Sequence, residues 1–204
     1  MNLLENLTET NMAARSLTWD HAPLKWELLP EGGVRVHVPG KTDYFQDPCG
    51  AIQKDDAPYL WLPIEGDFVA QAHVRPNWSA VWDAPAIMVR HDALHWAKIC
   101  FESTDIGTTA AVSVVTNGHS DDANGADLTV PEVWLQMVRA GNTFGLHYAL
   151  DGHSWRMVRV FRLDLPAQVK VGLVAQCPGG SGAVIDLLSF SVEARTVKDL
   201  RAGI

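Results

Sequence analysis

A chain of 204 residues, 47% of them hydrophobic and 20% charged, carries enough apolar material to bury one full core without disulfide or metal support. Its 24 acidic residues against 16 lysines and arginines leave a net charge of −8, which argues against a general nucleic-acid binder and against adhesion to anionic membranes. The three cysteines, Cys49, Cys100 and Cys177, form no CxxC pair, so neither a zinc site nor a redox motif is indicated, and buried thiols in a reducing compartment are expected.

Residues 1–16 contain Glu5 and Glu9 and no continuous apolar stretch. They read as a flexible tail rather than a signal peptide, and no segment approaches the roughly 18 apolar residues of a membrane span, so a cytoplasmic protein is expected. From Leu17 to residue 195 the chain reads as strands punctuated by turns. Gly33 to Val38 alternates, with Val34, Val36 and Val38 on one face and Arg35 and His37 on the other. Asp67 to Val74 sets Phe68, Ala70, Ala72 and Val74 together. Ala86 to His91 and His95 to Glu102 form a hairpin over Asp92, Ala93 and Leu94. Ala111 to Asn117 is followed by a polar loop, Gly118 to Asp127.

Strands follow at Glu132 to Arg139, Thr143 to Leu150, Trp155 to Leu163, Lys170 to Ala175 and Ala183 to Val192. Asp151-Gly152 supplies a strong hairpin signal. In the short C-terminal segment, 196–204, Val197 to Ala202 reads as helical. Many closely spaced strands without βαβ crossovers predict a single all-β domain, a two-sheet antiparallel jelly-roll sandwich.

Alternation in His95 to Glu102 turns Ala97, Ile99 and Phe101 to the core and Trp96, Lys98 and Glu102 to the opposite face, which is either a solvated surface or a ligand groove. Likewise His147 points away from the core and could share a face with Gln136 or Arg139 of the neighbouring strand. Indoles stack on sugar rings while charged and amide groups fix hydroxyls, so such a face suits saccharides. Of eight tryptophans, Trp78 and Trp82 fall in a loop-like segment, where they either stack on a ligand or plug an edge.

Other clusters carry less. His91 and His95 flank a turn without a third ligand, and Asp121, Asp122 and Asp127 lack calcium-loop spacing. Neither a metal nor a cofactor is therefore expected. Glu65 and Asp67 have the Glu-x-Asp spacing of jelly-roll glucanases, but Ala70 stands where the third acid belongs, which weakens a glycoside hydrolase reading.

Several stretches together resemble the DUF1349, regulation-of-enolase-like family. They are Thr42-Asp43-Tyr44-Phe45, Gly66-Asp67-Phe68, Ala86 to Arg90, Trp96-Ala97-Lys98 with Glu102, Ser113 to Asn117 with Ser120-Asp121, Trp134 to Arg139, Tyr148 to Gly152 with Trp155, and Val171-Gly172-Leu173. The resemblance implies a concanavalin A-like sandwich. It places Lys98, Glu102, Asn117, Asp121, Arg139, Asp151 and Trp155 on recurrent family positions, with Lys98, Glu102 and Arg139 as groove candidates. Gln136 departs from the pattern, where arginine is expected, as do Ala86, Phe45-Gln46 and Asp122.

The candidate ligand-binding residues are thus Trp96, Lys98, Glu102, Gln136, Arg139, His147, Asn117, Asp121, Trp78 and Trp82. The functional expectation is a carbohydrate- or sugar-phosphate-binding module. An interaction partner among metabolic enzymes is the alternative, and a glycoside hydrolase the second.

Overall fold

The computed structural model describes every residue from Met1 to Ile204. In chain order the strands are β1 (Thr18–Asp20), β2 (Lys25–Leu28), β3 (Val34–Pro39), β4 (Tyr44–Gln46), β5 (Gln53–Asp55), β6 (Tyr59–Glu65), β7 (Phe68–Asn77) and β8 (Ala84–Arg90). They continue as β9 (His95–Ser103), β10 (Thr109–Asn117), β11 (His119–Asp127), β12 (Val133–Ala140), β13 (Thr143–Ala149), β14 (Arg156–Arg162), β15 (Gln168–Gln176) and β16 (Gly182–Glu193).

Two seven-stranded antiparallel sheets stack face to face, in the orders β1-β6-β15-β8-β9-β10-β11 and β14-β13-β12-β7-β16-β3-β2. This is the concanavalin A-like jelly roll. Side-chain alternation builds the core between them. Val34, Val36 and Val38 of β3, Ala70, Ala72 and Val74 of β7, and Ala97, Ile99 and Phe101 of β9 all turn inward. None of the chain's helices is long and apolar enough to cross a membrane.

The first sheet is buried on both faces over β8 to β10, because a two-stranded hairpin, β4–β5, lies across its outer side. Beneath that hairpin a second apolar cluster holds Tyr44, Tyr59, Met88, Trp96, Cys100 and Val112. Tyr44 meets Trp96 edge-on at 6.2 Å. The Arg90 guanidinium lies over the Tyr44 ring at 5.1 Å and donates to the Asp55 carboxylate at 2.7 Å, so the hairpin is fastened by charge as well as by packing.

Three expected elements differ. Gly118 to Asp127 is not a loop: His119–Asp127 pairs along the free edge of β10, with all but Ser120 exposed. Backbone pairing overrides the strand-averse Asp, Asn and Gly side chains there, and charge on such an edge discourages further pairing. Residues 1–16 are folded rather than loose. Leu4 and Leu7 join the core, the amide of Leu3 bonds the Phe190 carbonyl, and Thr8 and Asn11 form a reciprocal cap on the short helix Glu9–Met12. Val197 to Ala202 is not helical. A single turn closes there, with the Asp199 carboxylate accepting from the amides of Arg201 and Ala202.

Candidate functional site

The outer face of β9 carries Trp96, Lys98, Cys100 and Glu102, and the hairpin packs over this row from the Trp96 end. Past the hairpin the face opens into a cleft of about 450 Å³, whose walls include Asp43, Trp82, Lys98, Glu102, Asp122 and Gln176. Antiparallel register explains the wall on one side. Lys98 faces Val114 of β10, which faces Asp122 of β11, while Cys100, Val112 and Asn124 form the next row.

Lys98 is one of the most buried side chains of the protein, and all its protons are spoken for. Its ammonium donates to Gln176 Oε1 at 2.7 Å, to the Tyr44 carbonyl at 2.8 Å and to Asp43 Oδ1 at 3.1 Å. Burial opposes its charge, but Asp43 and the acidic groups beyond it outweigh that penalty and raise its pKa. Lys98 is thus a fastener that draws the start of β4 and the end of β15 onto β9.

Glu102 is different. Only 7% of the residue is exposed, its carboxyl faces the cleft, and neither a hydrogen bond nor an ion pair within the chain serves it. Burial pushes its pKa up to about 8, against the attraction of Lys98 and with the help of Asp122, Asp43 and Asp105. At neutral pH it is therefore mostly a neutral acid, able both to donate and to accept a hydrogen bond. Trp82 also lines the cleft, 46% exposed, its backbone held at φ +68°. The bond of its amide to the Ser103 carbonyl, 2.6 Å, and that of Gln176 Nε2 to its own carbonyl, 3.2 Å, keep this indole at the rim.

Of the expected ligand residues, the cleft gathers Lys98, Glu102 and Trp82; the others lie elsewhere. Trp96 shares the face but is sealed under Tyr44, with its indole N–H bonded to the Ala93 carbonyl at 3.1 Å, so no sugar can reach it. Arg139 lies on the opposite sheet and does not share a face with His147. Its guanidinium caps the carbonyls of Gly141, Leu165, Pro166 and Ala167. Gln136 and His147 are direct cross-strand neighbours, fully buried beneath the C-terminal turn. Gln136 Nε2 donates to the Gly203 carbonyl at 3.0 Å, and His147 Nε2 lies 3.0 Å from that of Leu200.

Asn117 sits at the β10–β11 turn opposite His95 and His119. Asp121 points away from the cleft and pairs with Arg159 at 2.8 Å, clasping the edges of the two sheets. Trp78 packs edge-on against Phe101 at 5.0 Å and is not a partner of Trp82. Glu65 and Asp67 flank a turn at Gly66 rather than sharing a strand face, and Asp67 caps the amide of Gly141.

A second, larger groove of about 650 Å³ on the other sheet runs past Trp78, Arg35, Arg75 and Asp186. Its charges are satisfied: Asp186 accepts from Arg35 at 2.7 and 2.9 Å and from Arg75 at 2.9 and 3.2 Å. That network ties β3, β7 and β16 together and leaves this groove's central charges paired, whereas the Glu102 carboxyl faces the first cleft without a partner in the chain.

Sequence reasoning missed Asp43 and Gln176 as members of the site. Their contribution comes from β4 and β15, distant in the chain from β9, and no local spacing announces it.

Among known proteins, the family described as "Protein of unknown function (DUF1349)" matches residues 19–195. The chain is 27% identical over 184 residues to "Regulation of enolase protein 1" of Saccharomyces cerevisiae, covering 90% of this chain and 92% of that protein. A crystal structure of a functionally unknown protein from Saccharomyces cerevisiae superposes with a TM-score of 0.82 at 25% identity, covering 89% of this chain and 98% of that one. A GH43 protein of Bacillus licheniformis superposes with a TM-score of 0.69 at 16% identity, covering 94% of this chain but only 38% of that one, a likeness of fold alone. The chain belongs to the DUF1349 family.

Proposed function

We propose that the protein binds a saccharide in the cleft between β9, β11 and Trp82. The observation that carries this reading is Glu102, a buried carboxyl without a partner that faces an open cleft also lined by an exposed indole. A neutral carboxyl matches the donor-and-acceptor character of a hydroxyl, and an indole offers a flat apolar face to a sugar ring. The same geometry favours an unphosphorylated sugar over a sugar phosphate. Lys98, the one buried lysine of the cleft, has all its donors engaged, Lys54 is paired with Asp56 and Lys41 bonds the Gly179 carbonyl, while five acids line the same cleft against these three lysines, which disfavours a phosphate. The jelly-roll fold shared with a GH43 protein is consistent with this reading.

Calorimetric titration with a panel of mono- and oligosaccharides tests it, with Trp82→Ala alongside. At least one saccharide should bind, and the variant should weaken it about fivefold to tenfold while folding normally. Silence from every saccharide, or binding indifferent to Trp82, overturns the reading.

The relation to the yeast protein named for regulation of enolase supports a second reading, a regulatory contact with a metabolic enzyme in the cytoplasm. The free thiols Cys49, Cys100 and Cys177 suit that reducing compartment. Affinity capture with the purified chain should then retain enolase reproducibly, and failure to do so removes this alternative.

A further inference from the structure

We propose that the saccharide taken by this cleft carries a free, protonated amino group that sits against Glu102, so that the site selects amino sugars over neutral, N-acetylated or phosphorylated ones. This inference rests on the saccharide reading and narrows it to a chemical class.

Charge in the cleft is unevenly met. Of the lysines lining the cleft, Lys98 has spent all three donors on Asp43, the Tyr44 carbonyl and Gln176, Lys54 bonds the Lys41 carbonyl and Asp56, and Lys41 bonds the Gly179 carbonyl. The acids are not equally spent. Asp43 accepts from Lys98 and from the amide of Tyr44, and Asp47 accepts from the amides of Cys49 and Ala51. Glu102 accepts nothing, although it is more than nine-tenths buried, and Asp105 and Asp122 add negative charge around it. Burial is the chief obstacle to ionisation of Glu102, and the neighbouring acids that add to it also attract a cation.

In the empty cleft a proton occupies that place. An ammonium group arriving there displaces the proton to solvent, and Glu102 becomes the carboxylate half of a charge-assisted hydrogen bond. The walls fit the remainder of such a ligand. Asn124 and Asp122 stand on β11 across one strand from β9, at a distance suited to ring hydroxyls, since neighbouring strands lie about 4.8 Å apart. Trp82 covers the apolar side of the ring. An N-acetyl group removes the charge and adds bulk at the buried carboxyl, and a phosphate meets a wall of acids, so both are disfavoured.

The test is calorimetric titration of the full chain at neutral pH with glucosamine, glucose, N-acetylglucosamine, glucose 6-phosphate and butylamine. Glucosamine should bind at least about tenfold more tightly than glucose or N-acetylglucosamine, the factor one charge-assisted hydrogen bond commonly supplies, and its heat should vary with buffer as a proton is released. Glu102→Gln should bring glucosamine down to the level of glucose. Asp105→Asn, which leaves the buried carboxyl in place, should erode the preference part of the way, and circular dichroism checks that both variants fold.

Equal binding of glucose and glucosamine overturns the amine inference and leaves the saccharide reading standing. Butylamine binding as tightly as glucosamine overturns the saccharide reading. A preference that survives Glu102→Gln overturns the placement of the amine, and no binding by any of the sugars removes both proposals.

Discussion

Replacing Glu102 by glutamine keeps the shape of the side chain and removes only its charge, so it isolates what an ionisable group costs at this place. The carboxyl is raised from its ordinary 4.5 to about 8 by burial. Between those values the folded chain retains a proton that the unfolded chain has lost, so stability is fully present below pH 4.5 and falls as pH rises through 8. Each pH unit inside that window removes about 1.4 kcal/mol. By pH 7 the loss reaches roughly 3 kcal/mol, a ceiling because water in the cleft softens the burial.

The glutamine variant escapes the loss. Urea denaturation of both proteins from pH 4.5 to 9 should give a stability difference that starts near a constant offset, grows with pH in favour of the variant, and levels off above pH 8. A buried amide adds to the offset without changing the slope. A difference that stays flat across the range, or one that falls with pH, refutes the claim that Glu102 is held protonated by its surroundings.

Other consequences concern residues that hold the fold rather than the ligand. Leu7 is fully packed in the core, so Leu7→Ala should cost about 2–5 kcal/mol in thermal or chemical denaturation, whereas a loose tail would yield almost nothing. Arg139→Lys cannot reproduce a planar fork reaching the carbonyls of Gly141, Leu165, Pro166 and Ala167. It should lower stability by about 1–3 kcal/mol while saccharide affinity measured by calorimetry stays unchanged.

Period-two alternation made the sandwich legible, because Val34, Val36 and Val38 or Ala97, Ile99 and Phe101 can share a face only as strands. It also set Lys98 and Glu102 on the face opposite the core. What alternation could not show was whether that face was covered. Trp96 is lost to the hairpin of β4 and β5, far upstream in the chain, and Gln136 and His147 to the C-terminal turn, since pairing of a distant segment leaves no mark on the local pattern. Arg139 misled for a related reason: a charged residue on a strand suggests a ligand, yet a strand end next to an irregular segment needs a donor for its bare carbonyls. The edge strand His119–Asp127 was hidden by composition, because an edge tolerates Asp, Asn and Gly that a central strand rejects.

The central claim, that the cleft beside Glu102 is the ligand seat, is tested most directly by following backbone amide resonances of the isotope-labelled protein during titration with glucosamine. Shifts should concentrate on residues 43–47, 82, 98–102, 122–124 and 176, and the groove around Arg35, Arg75 and Asp186 should stay silent. Shifts centred on that second groove, with the amides around Glu102 unmoved, would contradict it.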